Sequence, residues 1–114
     1  MLPVELSHHH QGQQAEWVLQ VNADLFWFQG HFPGQPLLPG VAQLDWVLHY
    51  AALLAPGKRF SSIENIKFQR PVLPGSRLKL ALEWQAEKSL LRFCYSLLDT
   101  VEPVAASSGK IRLC

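Results

Sequence analysis

The chain has 114 residues, 48% of them hydrophobic, and a formal net charge of +1 at neutral pH. A chain of this length and composition can bury one core, so disorder is not expected and residues 1–114 are predicted to form a single domain. The small net charge disfavours a nucleic-acid partner, and no apolar run approaches the roughly 20 residues that a membrane helix needs.

The two cysteines and the N-terminal residues bear on location. Cys94 and Cys114 have no second thiol nearby in sequence and no metal-ligand spacing, so no disulfide framework is expected. The N-terminal stretch lacks the basic flank and apolar run of a secretory signal. These features predict a cytoplasmic protein in a reducing environment.

Charge is unevenly distributed along the chain. Residues 1–57 carry four acidic side chains and no Lys or Arg, which gives −4, whereas residues 58–114 carry ten basic and five acidic side chains, which gives +5. Such an asymmetry can form a basic surface for an acidic partner. Ordinary solvated strand faces explain it equally well, and both interpretations stay open.

The first predicted elements are a polar loop and a strand. His8, His9 and His10 have no carboxylate or cysteine at metal-ligand spacing, which favours an exposed loop over a metal site. Residues 15–21, AEWVLQV, place alternate apolar side chains on one face and therefore predict a strand.

A helix is predicted next, over residues 40–57, ending at Pro56 and Gly57. Its apolar residues surround almost the whole circumference, which is typical of a buried helix. Alternation then predicts strands at 77–85 and 91–97, and a last strand that contains Ile111 and Leu113. One buried helix with several half-buried antiparallel strands indicates an α+β fold, a curved sheet wrapped around the helix. A single helix cannot cover both faces of this sheet, so one face is expected to meet another subunit.

The side chains suited to catalysis lie in FQGHFPGQPLLPGVAQLDWV, residues 28–47. His31 supplies a base of the type that titrates near neutral pH. Asp45 places a carboxyl group in an apolar helix, where burial is costly unless the group is paired. Gly40 stands at the predicted helix start, where backbone N–H groups lack helical partners and suit an oxyanion. These three groups suit removal of a proton next to a thioester carbonyl, with loss of a group from the following carbon. A polar contact to a neighbouring strand is the competing interpretation of Asp45.

Proline spacing bears on how these groups meet. Three prolines recur at every third residue from 33 to 39, which is the period of a polyproline II helix. A fully extended stretch would place His31 roughly 25 Å before the helix, and Asp45 lies about 9 Å further on. The spacing therefore favours a site at a twofold interface, where His31 meets the Asp45 of a second chain.

Two blocks resemble one enzyme family. HFPGQPLLPGVAQLD, residues 31–45, resembles the active-site segment of the 3-hydroxyacyl-acyl-carrier-protein dehydratases. IENIKFQRPVLPGSRL, residues 63–78, is similar to the strand and turn that follow the helix in that family. The resemblance runs from about residue 16 to the last residue and implies a hotdog fold that dimerises through its sheets. LLPGVAQLDWV most resembles the small dehydratases of aryl-polyene clusters.

The resemblance also implies roles for single residues. His31 would remove the α-proton, Asp45 would protonate the leaving 3-hydroxyl, and the Gly40 N–H would hold the thioester oxygen. Many members carry Glu where this chain has Asp45, and a subgroup that also isomerises its product carries Asp, so Asp45 alone does not make this chain an isomerase. Where the family often has Gln one turn later, this chain has His49, a candidate accessory group. The reaction would need no metal and no redox cofactor.

Two further sets of residues are candidates for binding. The aromatic and apolar residues around the segment are predicted to line an acyl or aryl tunnel, although simple core packing is an equal alternative: Phe26, Phe28, Phe32, Leu44 and Trp46. Five basic residues are candidates for an acyl carrier protein or its pantetheine phosphate, although each is also a typical solvated strand residue: Lys58, Arg59, Lys67, Arg70 and Arg77. The expected partner subunit is a second copy or a related hotdog chain.

The function predicted from the sequence is dehydration of a carrier-bound 3-hydroxyacyl thioester to the trans-2-enoyl thioester. One alternative is a hotdog thioesterase, which also uses a helix-borne acid but does not need the His-Phe-Pro-Gly segment. Another alternative is an inactive subunit that binds acyl chains and stabilises an active relative. This alternative is disfavoured because the chain keeps all three candidate catalytic groups, at His31, Gly40 and Asp45. Because a general acid must hold its proton near neutral pH, burial of Asp45 would favour the simple mechanism. An ionised Asp45 would instead orient a water or His49.

Overall fold

The computed structural model describes residues 2–25, 28 and 37–114. Within them the chain forms six strands and one α-helix, joined by turns and short loops. In chain order these elements are β1 (Val4–Gln11), β2 (Gln14–Gln20), α1 (Gly40–Ala51), β3 (Phe60–Phe68), β4 (Arg77–Gln85), β5 (Leu90–Leu97) and β6 (Val104–Leu113).

All six strands belong to one antiparallel sheet, in the order β1-β2-β4-β5-β6-β3. The alternation in β4 and β5 gives each strand a buried face, and the two faces are in register: Leu80 pairs with Tyr95, and Leu82 pairs with Phe93. β3 lies at one edge of this sheet and pairs with β6. The predicted α+β arrangement is therefore confirmed.

Helix α1 contributes one face to the core, and Trp46 and Val47 are completely buried there. The opposite face is exposed in the single chain, as Val41, Asp45 and His49 show. The prediction of a helix buried on all sides is thus wrong for this face. One sheet covers only one side of a helix, so the apolar residue Val41 remains 64% exposed.

The helix also ends earlier than predicted, at Ala51 rather than residue 57. Beyond it the N–H groups of Leu53 and Leu54 donate to the carbonyls of Tyr50 and Ala51, three residues back. Such bonds tighten a helix end into turns, and these turns carry the chain to β3 at Phe60.

The histidine cluster lies on a strand, not in the predicted loop. His8, His9 and His10 belong to β1, which pairs antiparallel with β2. All three side chains are exposed. The predicted exposure is confirmed, but the loop is wrong, because the hairpin with β2 pairs the backbone of this polar stretch.

Candidate active site

The start of helix α1 presents the Gly40 amide. Pro39 precedes the helix with an extended backbone (φ −63°, ψ 152°), and its carbonyl accepts hydrogen bonds from the N–H groups of Ala42 and Gln43 at 3.1 and 3.2 Å. A trans peptide unit directs its N–H opposite to its C=O. Because the Pro39 carbonyl points into the helix, the Gly40 N–H points out of the helix at its start. Positive potential at a helix start suits an oxyanion at this amide.

A buried polar cluster holds this end of the helix. The Gln43 side-chain amide donates to the Leu38 carbonyl at 3.4 Å, and the Gln43 side-chain oxygen accepts a hydrogen bond from the Ser107 hydroxyl at 2.7 Å. The Tyr95 hydroxyl donates to the Gln43 backbone carbonyl at 2.6 Å. The Leu38 N–H in turn donates to the Val72 carbonyl at 2.8 Å. Residues before and after the helix start are thereby joined to β5, β6 and the chain after β3.

The environment of Tyr95 keeps its hydroxyl protonated as a donor. Burial raises the pKa of Tyr95 well above its ordinary value of 10.0, and the nearby charges of Tyr50 and Asp45 act in the same direction. Sequence reasoning did not identify Gln43, Tyr95 or Ser107 as important. The one signal in the sequence is a glutamine within a largely apolar helix segment.

A pocket of about 320 Å³ lies beside the Gly40 amide. Its walls come from the residues before the helix, the first helical turn and the end of β3: Leu37, Leu38, Gly40, Gln43 and residues 68–71. The Phe68 ring packs so closely that a Cβ added to Gly40 would lie 2.7 Å from its Cζ atom. Glycine at position 40 therefore allows the Phe68 ring to pack against the helix start.

We expect Gly40→Ala to lower kcat/KM for the predicted dehydration by roughly an order of magnitude. The new methyl group displaces Phe68 and reshapes the pocket at Gly40. Phe68→Leu removes the far end of the ring, so the double variant Gly40→Ala/Phe68→Leu should regain part of the loss. Steady-state kinetics of both single variants and the double variant measure this coupling. Strictly additive losses would show that the contact does not shape the site.

Asp45 and His49 lie on the same exposed stripe of α1, one helical turn apart, as their spacing predicts. The His49 ring meets the Tyr50 ring edge-on, with centroids 5.0 Å apart. Asp45 lies about 7.5 Å beyond Gly40 along the helix axis. Asp45 is exposed in the single chain, so this chain alone does not remove its carboxyl group from water.

Other predicted site residues divide between the core and the undescribed positions. His31, Phe26 and Phe32 lie outside the described residues. Phe28 and Trp46 are buried in the main core, whereas Leu44 is half-buried against it. Their assignment to a substrate tunnel stays a prediction.

The five basic residues do not form one patch. All are exposed, but Arg70 lines the pocket at Gly40, whereas Lys58 and Arg59 follow the turns beyond the opposite end of α1. Lys67 lines a separate groove across the sheet, and Arg77 begins β4. Arg70 is therefore the member of this set best placed to contact a ligand at the helix start.

Metal-binding side chains do not converge in the described part of the chain: no three His, Cys, Asp or Glu residues there are grouped to hold an ion. Likewise, no helix among the described residues has the length and apolar character to cross a membrane.

Comparison with known proteins decides the family. Residues 7–110 match the model of the ApeI-like family, described as ApeI dehydratase. The chain belongs to the ApeI-like dehydratase family. The family predicted from the residue 31–45 segment is thus confirmed.

Curated relatives of this ApeI-like chain are dehydratases as well. An alignment of 122 positions, gaps included, shows 36% identity to the 3-hydroxyacyl-acyl-carrier-protein dehydratase FabZ of Geobacter metallireducens. The alignment covers 98% of the chain and 81% of the relative. The chain is 39% identical over 88 residues to FabZ of Erythrobacter litoralis, covering 68% of the chain but 58% of the relative. The match to that second relative thus spans somewhat more than half of its length.

Solved structures agree with the ApeI-like fold. The dehydratase heterocomplex ApeI:P from Xenorhabdus doucetiae matches with a TM-score of 0.92 and 50% identity, over 100% of this chain and 99% of the other. An uncharacterized protein from Erwinia carotovora matches with a TM-score of 0.93 and 59% identity, over 100% and 97% of the two chains. The dehydratase domain of PpsC from Mycobacterium tuberculosis, at 16% identity and a TM-score of 0.73, shares the fold alone. The predicted hotdog fold is confirmed.

Proposed function

We propose that this chain eliminates water from a carrier-bound 3-hydroxyacyl thioester and releases the trans-2-enoyl thioester. The observation that carries the proposal is the Gly40 amide, which points out of the helix start beside a pocket, with Asp45 further along the exposed side of the same helix. Membership of a dehydratase family supports the same reaction. An aryl-polyene intermediate is the proposed substrate class, in keeping with the similarity to ApeI.

In the proposed mechanism, His31 removes the proton on the carbon next to the thioester carbonyl. The Gly40 N–H stabilises the negative charge that develops on the carbonyl oxygen. Electrons return to form the double bond while the bond from the third carbon to its hydroxyl breaks. Asp45, directly or through a water oriented with His49, delivers the proton that makes the departing group water. Return of the proton from His31 to Asp45 restores the site.

A second subunit completes the proposed site. β3 forms an edge of the sheet, and Phe60, Ile63 and Phe68 on this strand are 46%, 48% and 56% exposed. An unpaired edge rich in exposed apolar side chains is a common place for strand pairing between chains. We propose that two copies of this chain join along β3, which brings the exposed stripe of α1 next to the partner. A related hotdog subunit is the alternative partner, since the similar ApeI:P structure is a heterocomplex.

The proposed carrier of the substrate is an acyl carrier protein, bound through its pantetheine phosphate near Arg70 at the mouth of the Gly40 pocket. The remaining basic residues lie elsewhere on the surface and contribute at most to long-range attraction. A cytoplasmic location belongs to the same proposal, because both cysteines of the chain are free thiols.

Mass spectrometry of a substrate panel tests the proposed function. The purified protein is incubated with carrier-bound 3-hydroxyoctanoyl and 3-hydroxy-3-arylpropanoyl thioesters. Elimination gives loss of one water from the intact carrier-bound acyl group. Hydrolysis, the thioesterase alternative, gives free carrier thiol and a free acid. Turnover that appears only after addition of a second hotdog protein, and that His31→Ala in this chain leaves unchanged, would instead favour the role of an inactive partner subunit.

A further inference from the structure

Gln43 occupies an unusual position for a polar side chain. It is 4% exposed and its hydrogen-bond partner Ser107 is fully buried, so the pair sits within the core under the helix start. Burying polar groups is costly unless they are hydrogen-bonded, and an apolar residue of similar size would fill the same space without that requirement. The pair therefore calls for a role beyond filling the core.

The contacts of Gln43 define that role geometrically. In many helices a side chain in the first turn reaches back to the N–H of the residue before the helix. Here that residue is Pro39, which has no N–H to donate to such a side chain. The Gln43 amide instead donates to the carbonyl of Leu38, one residue earlier, while the Ser107 hydroxyl fixes the orientation of the amide from β6.

We infer that Gln43, oriented by Ser107, is a positioning residue that sets the direction of the Gly40 N–H toward the substrate carbonyl. The inference rests on the proposed role of Gly40 in dehydration. Gln43 acts on Pro39 from both sides: its side chain holds the Leu38 carbonyl, and its backbone N–H holds the Pro39 carbonyl. The Pro39 carbonyl and the Gly40 N–H belong to one planar peptide unit, so fixing the carbonyl and the residue before it sets the direction of this N–H.

The expected effect lies on turnover more than on binding. Removing an oxyanion donor outright lowers kcat by about 10²–10³-fold. Loss of a residue that only aims the donor should cost less, and we expect Gln43→Met to lower kcat roughly 10-fold with KM changed less than about threefold. Ser107→Ala removes one hydrogen bond from the same side chain and should lower kcat in the same direction by a smaller factor.

Tyr95→Phe is the matched control. It removes a hydrogen bond of the same buried cluster, but that bond ends on the helix backbone at Gln43 and leaves the side-chain contact with Leu38 in place. We expect it to lower Tm by an amount similar to Ser107→Ala but to lower kcat clearly less than Ser107→Ala does.

Kinetics and infrared spectroscopy together test the inference. Kinetics use the panel thioester that the wild type dehydrates fastest. Infrared difference spectra use the corresponding 2-enoyl pantetheine thioester, isotope-labelled at the carbonyl carbon. A hydrogen bond from Gly40 lowers the carbonyl stretching frequency in the wild type, and we expect Gln43→Met and Ser107→Ala to move it back up, while Tyr95→Phe leaves it unchanged.

Each outcome bears on a distinct part of the account. No elimination by the wild type would remove the proposed function, and this inference with it. If the wild type eliminates water but its bound thioester shows the same carbonyl frequency as the free thioester, dehydration stands and the positioning role is overturned. The role also fails if Gln43→Met and Ser107→Ala keep wild-type kcat and frequency, or if Tyr95→Phe lowers kcat as much as Ser107→Ala at equal loss of Tm.

Discussion

Replacing His31 with alanine is expected to lower kcat for dehydration by about 10²–10⁴-fold, the range that a general base contributes. The imidazole is the proposed acceptor of the α-proton, and nothing else in the residue 31–45 segment can take a proton with comparable strength at neutral pH. Mass-spectrometric initial rates with a carrier-bound substrate measure the loss. KM should change far less than kcat, because the lost interaction belongs to the transition state.

His9→Ala provides the control for this variant. His9 is an exposed residue of β1 on a strand that contributes nothing to the pocket at Gly40. We expect its kinetics to match those of the wild type. Retention of more than about a tenth of wild-type kcat by His31→Ala would assign proton abstraction to another group.

The second large effect is expected for Asp45→Asn. This change keeps the size of the side chain but removes its ability to donate a proton as an acid or to accept one as a carboxylate. Loss of general acid catalysis lowers kcat by about 10²-fold or more. If Asp45 is active in its protonated form, activity of the wild type falls at high pH as that form is lost. The pH–rate profile of Asp45→Asn should then lack this basic limb.

Asp24→Asn is the matched control for Asp45→Asn, since Asp24 is also exposed and does not line the described pocket at Gly40. Its rate and pH profile should stay those of the wild type. A basic limb that persists in Asp45→Asn would mean that Asp45 works as a carboxylate that orients a water or His49. In that case His49→Gln should also lower kcat, because Asp45 would act through His49 or the water beside it.

The sheet was largely predictable from the sequence because its central strands follow a simple alternation. In β4 every second residue, from Leu78 to Trp84, is buried, and the predicted bounds 77–85 match the observed strand. Here the local pattern and the tertiary packing agree, since one face of the strand lies on the core and the other faces outward.

The errors occur where tertiary contacts decide the structure. β1 is entirely exposed along its length and carries three histidines, so no apolar period marks it; its strand conformation depends on pairing with β2. The exposed stripe at Val41 and Asp45 was hidden in the sequence because the helix reads as apolar on nearly every side. Which side a sheet covers is a property of the packed fold, not of helix periodicity.

Only part of the candidate site could be predicted from the sequence, because the rest depends on tertiary contacts. Gly40 and Asp45 belong to a short, ordered segment whose residue types indicate chemistry directly. The cluster joins Gln43 on the helix to Tyr95 and Ser107, which lie 52 and 64 residues further along the chain. Apart from a glutamine in a largely apolar helix, hydrogen bonds of this kind leave no local signal, since Tyr95 and Ser107 are each compatible with an ordinary strand position.

His31 of one subunit and Asp45 of the other are proposed to act at one site. Mixing two inactive variants tests this shared site most directly. His31→Ala and Asp45→Asn are co-expressed, native mass spectrometry confirms mixed dimers, and dehydration is measured. If the two residues act across the interface, each mixed dimer holds one intact site, and an equal mixture should regain roughly a quarter of wild-type activity. Mixed dimers that form but show no more activity than the separate variants would contradict the account.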